Sequence, residues 1–216
     1  MRTVSFQAVA GIYDSLAEVV FGTSIKDAQR VYLDTIPEDS RVLVIGGGTG
    51  WILKDLLRTG RCRSITFVET APAMLTKAKR VVDGIDENKT KIDFIQGSVS
   101  SLQPLKRYET VLVFFLLDLY SDKEAMQIMQ EISAHLEPNG ICLFADFDPK
   151  SQRYIPYWQK FLLELMFHFF SLTTNLKNKK LPQYSRIFEE AGFTCIQSCL
   201  FYGSFIRSSV YQKLSP

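Results

Sequence analysis

Val42-Leu-Val-Ile-Gly-Gly-Gly-Thr-Gly50 decides the architecture. Four consecutive apolar residues, three of them β-branched, read as a short strand buried on both faces. The glycines behind it let the chain turn tightly and let a ligand approach the backbone with no Cβ in the way. In an open α/β sheet, ligands bind beyond the carboxyl ends of the strands, and the first strand-to-helix turn is the usual place.

Working outward, Ile52, Leu53, Leu56 and Leu57 mark a helix that closes near Gly60. Ser64–Glu69 reads as a second strand. Pro72 suits a first helical turn, and Met74, Leu75, Ala78, Val81 and Val82 supply that helix's apolar face. Lys91–Gln96 and Glu109–Phe115 are the third and fourth strands. Ser121-Asp-Lys-Glu124 has capping-box spacing, with a stripe of Ala125, Ile128, Met129, Ile132 and Leu136 behind it. Pro138-Asn139-Gly140 reads as a turn into a fifth strand, Ile141–Phe147. This alternation predicts an α/β protein, Rossmann-like and doubly wound, with helices on both faces of a mostly parallel sheet.

The ends depart from that rhythm. Phe6, Val9, Tyr13, Leu16 and Val20 recur at helical spacing and predict a helix over 3–20, followed by another over Ser24–Asp34. Tyr154–Phe170 is helical and apolar nearly all round. Pro182–Ala191 reads as a short helix. Phe193–Tyr202 and Ser204–Tyr211 read as an antiparallel hairpin joined near Gly203. The expected organisation is one domain over 1–216: a helical cap (1–36), a core (41–148), a helical lid insert (149–192) and a hairpin (193–216).

A chain of 216 residues, 46% hydrophobic and 22% charged, is neither disordered nor fibrous. Its 25 Lys plus Arg against 23 Asp plus Glu give no general pull toward nucleic acid. The longest apolar run, Val111–Leu117, falls short of the roughly 20 residues of a spanning helix. Ala8-Val-Ala10 imitates a leader cleavage site, but the residues before it include polar Ser5 and Gln7 and form no apolar stretch. Cys62, Cys142, Cys195 and Cys199 form no C-x-x-C pair. With only His135 and His168 beside them, the spacing of a zinc site is missing, and no metal is expected. Cys195 and Cys199 read as same-face strand residues, in a reducing, cytoplasmic setting.

Three readings of the glycine loop compete. A phosphate-cradling P-loop ends in Gly-Lys-Ser/Thr, and this one does not. A dinucleotide loop, as in an NAD(P)-dependent oxidoreductase, fits Gly46 and Gly48 but meets bulky Trp51 at its third, small position. What fits is G-x-G-x-G over Gly46, Gly48 and Gly50. The next strand ends in Glu69, 19 residues after Gly50. A carboxylate there can accept hydrogen bonds from both hydroxyls of an adenosine ribose.

On these residues the chain resembles a class I S-adenosylmethionine-dependent methyltransferase, of the small-molecule type that includes quinone-biosynthesis and phospholipid methyltransferases. The likeness runs over residues 8–148, more loosely to the end. Val42–Gly50 matches the family's first motif, and Glu69-Thr-Ala-Pro-Ala-Met-Leu75 the acid-and-helix motif. Asp93-Phe-Ile-Gln-Gly-Ser-Val99 matches the adenine-side segment, and Leu136-Glu-Pro-Asn-Gly-Ile141 the turn before the fifth strand. Tyr13-Asp14 resembles an N-terminal signature whose aromatic ring covers the cofactor.

The resemblance implies a seven-stranded sheet with its last strand antiparallel, and S-adenosylmethionine as cofactor. It implies Gly46, Gly48, Thr49 and Gly50 along the methionine moiety, Glu69 on the ribose and Met74 beside the adenine. Gly97 and Ser98 would read the adenine edge; Tyr13, Thr70, Val99 and Phe115 complete the expected pocket. Many relatives carry Asp or Asn where Ser98 stands, and Cys or another small residue at Gly47. The segment after the fourth strand, Phe114-Phe-Leu-Leu-Asp-Leu-Tyr120, lacks the usual His or Asn.

Methyl transfer from a sulfonium is an in-line displacement with a neutral leaving group, so the protein mainly aligns reactants and excludes water. A base is needed only for an acceptor that arrives protonated. Asp118, Tyr120, Asp146 and Asp148 stand near strand carboxyl ends; Asp118 and Tyr120, after the fourth strand, are the catalytic candidates. Surface, turn or packing roles stay open for both, and Asp118 lacks companions for a metal site. His168, between Phe167 and Phe169, reads as a packing residue, and His135 as a surface one. Phe161–Phe170, with Tyr154, Tyr157 and Trp158, points to a lipophilic or aromatic small-molecule acceptor, a dimer interface being the other reading of the same helix. Membrane contact is at most transient, and the chain is a monomer or homodimer. A non-catalytic, cofactor-binding protein of this fold is the remaining alternative.

Overall fold

A computed structural model of the chain describes residues 21–84, 90–148 and 181–214. The expected helices over 3–20 and 154–170 lie outside the described residues. The helix expected over Ser24–Asp34 is shorter. α1 (Ser24–Arg30) gives way to a 3-10 turn at Leu33–Thr35, where the Thr35 hydroxyl donates to the Tyr32 carbonyl.

Strands and helices then alternate: β1 (Ser40–Ile45), α2 (Ile52–Thr59), β2 (Cys62–Glu69), α3 (Pro72–Val82), β3 (Lys91–Gln96), β4 (Tyr108–Phe114), α4 (Asp122–His135) and β5 (Leu136–Phe147). α5 (Tyr184–Glu190), β6 (Phe193–Phe201) and β7 (Ile206–Lys213) follow. Local chemistry sets these boundaries. Gly60 turns left-handed (φ 68°) and closes α2; Pro72 opens α3 at its first turn. Ser121 and Glu124 cap α4 reciprocally, with the Ser121 N–H donating to Glu124 Oε2 at 2.9 Å.

The seven strands run in the order β3-β2-β1-β4-β5-β7-β6. β1 to β5 are parallel, β7 is antiparallel to β5, and β6 is antiparallel to β7. The chain therefore steps outward from β1 to β3 and then returns to the other side of β1 with β4. Ile45 pairs with both Val68 and Val113, so the carboxyl ends of the three central strands lie level at that switch. In an open α/β sheet such a switch, where the flanking loops diverge in opposite directions, is where a ligand crevice belongs.

Period-2 alternation divides the core. Leu43, Val111, Val113 and Phe144 face Ala125, Met129 and Ile132 of α4 and Tyr184 and Phe188 of α5. Val42, Val44, Leu112 and Leu143 face Leu53 and Leu56 of α2 and Leu75 and Ala78 of α3. A third cluster, largely aromatic, gathers Phe21, Phe147 and Phe205 with Ala28 of α1.

Two expectations are corrected. Pro138-Asn139-Gly140 is not a separate turn: Leu136 already pairs with Tyr108, and these residues bulge inside β5, Asn139 taking φ 60°. Cys195 and Cys199 do not share a face. A bulge at Ile196 leaves Cys195 opposite Tyr211 and Cys199 opposite Ser208, three residues apart on β7 and so on opposite sides. No described helix is long and apolar enough to cross a membrane.

Candidate active site

The turn after β1 is built from three left-handed glycines, Gly46 (φ 63°), Gly48 (φ 58°) and Gly50 (φ 75°). Neighbours enforce two of them. A Cβ on Gly46 would stand 2.8 Å from Leu116 Cδ1, and one on Gly50 would stand 2.5 Å from Ala78 Cβ, at the contact between the loop and α3. Gly47 is crowded differently: its φ is not left-handed, but a Cβ there would enter the Phe67 ring. Gly48 has nothing within 4 Å of where its Cβ would be, so its face of the loop is open.

Glu69, at the end of β2, ties this loop down. Its Oε2 accepts from the Gly48 N–H at 3.0 Å, and its Oε1 accepts from the Ala71 N–H at 2.8 Å and the Thr70 hydroxyl at 3.3 Å. Its own carbonyl accepts from the Gly97 N–H at 3.0 Å, which brings the turn after β3 alongside. The fold thus assembles Gly46–Gly50, Glu69, Thr70 and Gly97 around one crevice.

The remaining expected residues are placed as follows. Thr49 and Met74 are half-buried. Ser98 is exposed, its hydroxyl 2.8 Å from that of Ser100, while its N–H donates to Ser101 Oγ. The Val99 side chain belongs to the core under α4, leaving only its backbone for a ligand. Phe115 is half-buried, left-handed (φ 48°), and meets Phe147 edge-on at 5.3 Å. Tyr13 and His168 lie outside the described residues. His135 sits at the end of α4 against the Lys106 carbonyl, near the start of β4 and away from the crevice.

Beyond β4, residues 115–120 wrap from the glycine loop to a buried acidic group. Leu116 touches Gly46, Asp118 is buried, and Tyr120 is half-buried. Burial, then the nearby Glu124 and Glu69 carboxylates, push the Tyr120 phenol above its ordinary pKa. This tyrosine therefore stays protonated at neutral pH and stands within electrostatic reach of Glu69.

Asp118 and Asp146 come together from separate strand ends. The Asp118 N–H donates to Asp146 Oδ2 at 3.2 Å, and the Phe147 N–H donates to Asp146 Oδ1 at 2.8 Å. Burial pushes the Asp118 carboxyl up to about 7. Burial and then the facing Asp118 push Asp146 well above the carboxylate range. Asp118 Oδ1 is buried with no hydrogen-bond partner among the described residues, and the buried Tyr184 hydroxyl lies against the Asp146 carboxyl. Asp148 is held apart in an ion pair with Arg207 Nη2 at 2.6 Å. Sequence reasoning named Asp118, Asp146 and Asp148 separately; neither the Asp118–Asp146 contact nor Tyr184 beside it carried a sequence signal. Among the described residues, no three His, Cys, Asp or Glu side chains gather in a way that could hold a metal.

Residues 42–140, from the middle of β1 to the bulge in β5, match the family described as a methyltransferase domain. What this match supports is a class I S-adenosylmethionine-dependent methyltransferase. The match begins with the strand that feeds the glycine loop and takes in every described residue of the crevice up to Tyr120. Two malonyl-[acyl-carrier protein] O-methyltransferases are similar in sequence. That of Halalkalibacterium halodurans is 29% identical over 54% of this chain and 42% of its own length. That of Halorhodospira halophila is 28% identical over 68% of this chain and 48% of its own length. The chain thus spans less than half the length of these relatives. In structure it resembles the N-methyltransferase NodS of Bradyrhizobium japonicum WM9 in complex with S-adenosyl-L-homocysteine. The TM-score is 0.65 at 12% identity, covering 97% of this chain and all of the other. Magnesium protoporphyrin IX methyltransferase of Synechocystis PCC 6803 superposes with a TM-score of 0.61 at 15% identity, over 99% and 88% of the two chains. These likenesses show the fold.

Proposed function

We propose that this methyltransferase moves a methyl group from S-adenosylmethionine to a small, apolar or aromatic molecule. The observation that carries the proposal is the glycine loop clasped by Glu69 at the switch point of the sheet. The donor set suits the cofactor. Gly48 offers open backbone for the methionine moiety, with Gly46, Thr49 and Gly50 beside it. Glu69 Oε2 has a lone-pair direction to spare, and the long Thr70 contact on Oε1 yields readily, so the carboxylate can take both ribose hydroxyls. Met74 would lie on the adenine, with Gly97, Ser98 and the Val99 backbone at its edge. Thr70, Phe115 and Tyr13 complete the enclosure.

S-adenosylmethionine supplies an activated methyl on a sulfonium whose departure leaves a neutral thioether. The protein's own work is alignment and water exclusion. Tyr120 is a protonated donor or packing group facing the cofactor side. Asp118 stands on the acceptor side, after β4. The aromatic cluster of Phe21, Phe147 and Phe205, with half-buried Phe115 and Tyr202 against it, supports an apolar or aryl acceptor. The two malonyl-thioester relatives raise a carboxylate acceptor as a second reading. An oxidoreductase is disfavoured: Trp51 occupies the small third position and is held beneath the Arg30 guanidinium, 5.1 Å from its ring. We take the chain as one such domain, monomeric or homodimeric; its four free thiols suit the cytoplasm.

Calorimetric titration with S-adenosylmethionine and S-adenosylhomocysteine tests this reading. Micromolar binding of both is expected; no heat at millimolar ligand would end it.

A further inference from the structure

The acceptor side carries a feature that alignment and exclusion do not use. Asp118 sits in the 3-10 turn Leu117–Leu119 with one carboxyl oxygen, Oδ1, buried and unpartnered. Behind it, Asp146 is wholly buried and fixed by two backbone N–H donors. Tyr184, a residue only 3% exposed, approaches the same pair from α5 with its hydroxyl toward the Asp146 carboxyl. Arg207, opposite Asp146 in the β5–β7 pairing, is committed to Asp148 through Nε and Nη2 at 2.9 and 2.6 Å. A buried carboxyl pair is costly unless it holds a proton, and an orphaned buried oxygen calls for a role.

Resting on the methyltransferase reading, we infer that Asp118 is the base that takes the proton from a neutral hydroxyl acceptor, an aryl alcohol, with Asp146 and Tyr184 as positioning residues. The aryl ring lies toward Phe115, the residue next to Leu116, which packs against Gly46. The acceptor oxygen forms its bond to the methyl carbon as the carbon–sulfur bond breaks, and that electron pair goes to sulfur. The hydroxyl proton goes to Asp118 Oδ1 and later to water. Asp146 keeps its hydrogen bonds to the Asp118 and Phe147 N–H groups and so fixes the turn. Burial, not Asp146, keeps Asp118 basic near neutral pH; the other polar neighbours of Asp146 are Tyr184 and the paired Asp148 and Arg207. A carboxylate acceptor fits poorly: it arrives ionised, needs no base and would face two acids.

The test uses the full chain with S-adenosylmethionine and three probes: 2-naphthol, 2-naphthalenethiol, which ionises far more readily, and 2-naphthoate. Wild type is expected to methylate the naphthol and not the naphthoate. Asp118→Asn should lose about 100-fold or more in kcat on 2-naphthol and less than about threefold on the thiol, with S-adenosylhomocysteine affinity unchanged. Asp146→Ala, which removes the acceptor of the Asp118 N–H, should lower kcat on 2-naphthol while KM and the thiol rate stay within about threefold, a split that loss of packing alone does not produce. The inference fails if wild type is inactive on the naphthol or prefers the naphthoate. It also fails if Asp118→Asn keeps its rate, or loses equally on naphthol and thiol. Unchanged S-adenosylhomocysteine binding in those cases would leave the methyltransferase reading intact; absent binding in wild type would end both.

Discussion

On the β1–β2 side of the switch point, Glu69 is met by three donors, and the glycine loop is shaped by backbone. On the β4–β5 side, Asp118 Oδ1 has no partner among the described residues, and burial raises the carboxyl pKa values. A ligand that is the same throughout a family can be held by backbone geometry that any sequence with the right glycines reproduces. A ligand that differs from protein to protein has to be met by side chains, and those gathered on this side come from α5, β5 and the turn after β4. The first side is satisfied at rest; the second holds an unmet polar atom.

Substitutions can break that contrast or sharpen it. The largest effect is expected at Gly50, where an alanine Cβ would crowd Ala78 and the backbone stays left-handed. Overpacking and strain together cost about 3 kcal/mol, so Gly50→Ala should lower Tm by roughly 6–12 °C. A fall of only a degree would show that α3 yields easily. Next is Glu69→Ala, which removes charge-assisted acceptors and should weaken S-adenosylmethionine binding about 100-fold by calorimetry. Unchanged affinity would remove Glu69 from the ribose.

The acceptor side should respond in the opposite sense. An acid whose folded pKa lies above its unfolded value binds protons better when folded, so its charge costs stability as pH rises from about 4 through 7. Asp118→Asn should therefore be more stable than wild type at pH 8, by about 2 kcal/mol after allowing for the amide's own burial. That gain should shrink toward zero near pH 5 in thermal melts. A variant less stable at both pH values would contradict the burden assigned to this pair. The smallest effect belongs to Ser121→Ala, which removes the cap of α4 and should cost about 1 kcal/mol, or roughly 2–4 °C, without altering cofactor affinity.

The same contrast explains what the sequence disclosed. Val42–Ile45 and the glycines behind it announced a buried strand and a tight turn because both signals are local. Pro72 and the Ser121–Glu124 pair announced helix starts for the same reason. The pairing of Asp118 with Asp146 spans 28 residues, and Tyr184 comes from another element still. Nothing in either neighbourhood announces a carboxyl pair, because only the β4–β5 register and the packing of α5 create it. The bulges at residues 138–140 and Ile196 were hidden too, since a polar or apolar residue reads the same in a regular strand or a bulged one. The bulge at Ile196 then sends Cys199 to the other face from Cys195.

The Phe67 ring fills the space beside Gly47, so two positions 20 residues apart divide one small volume between them. Bulk at one is bought by its surrender at the other. A protein of this fold with a cysteine in the place of Gly47 should carry a slimmer residue in the place of Phe67. In this chain, Gly47→Cys should be tolerated far better beside Phe67→Leu than alone, so an engineer reshaping the loop must change the two together.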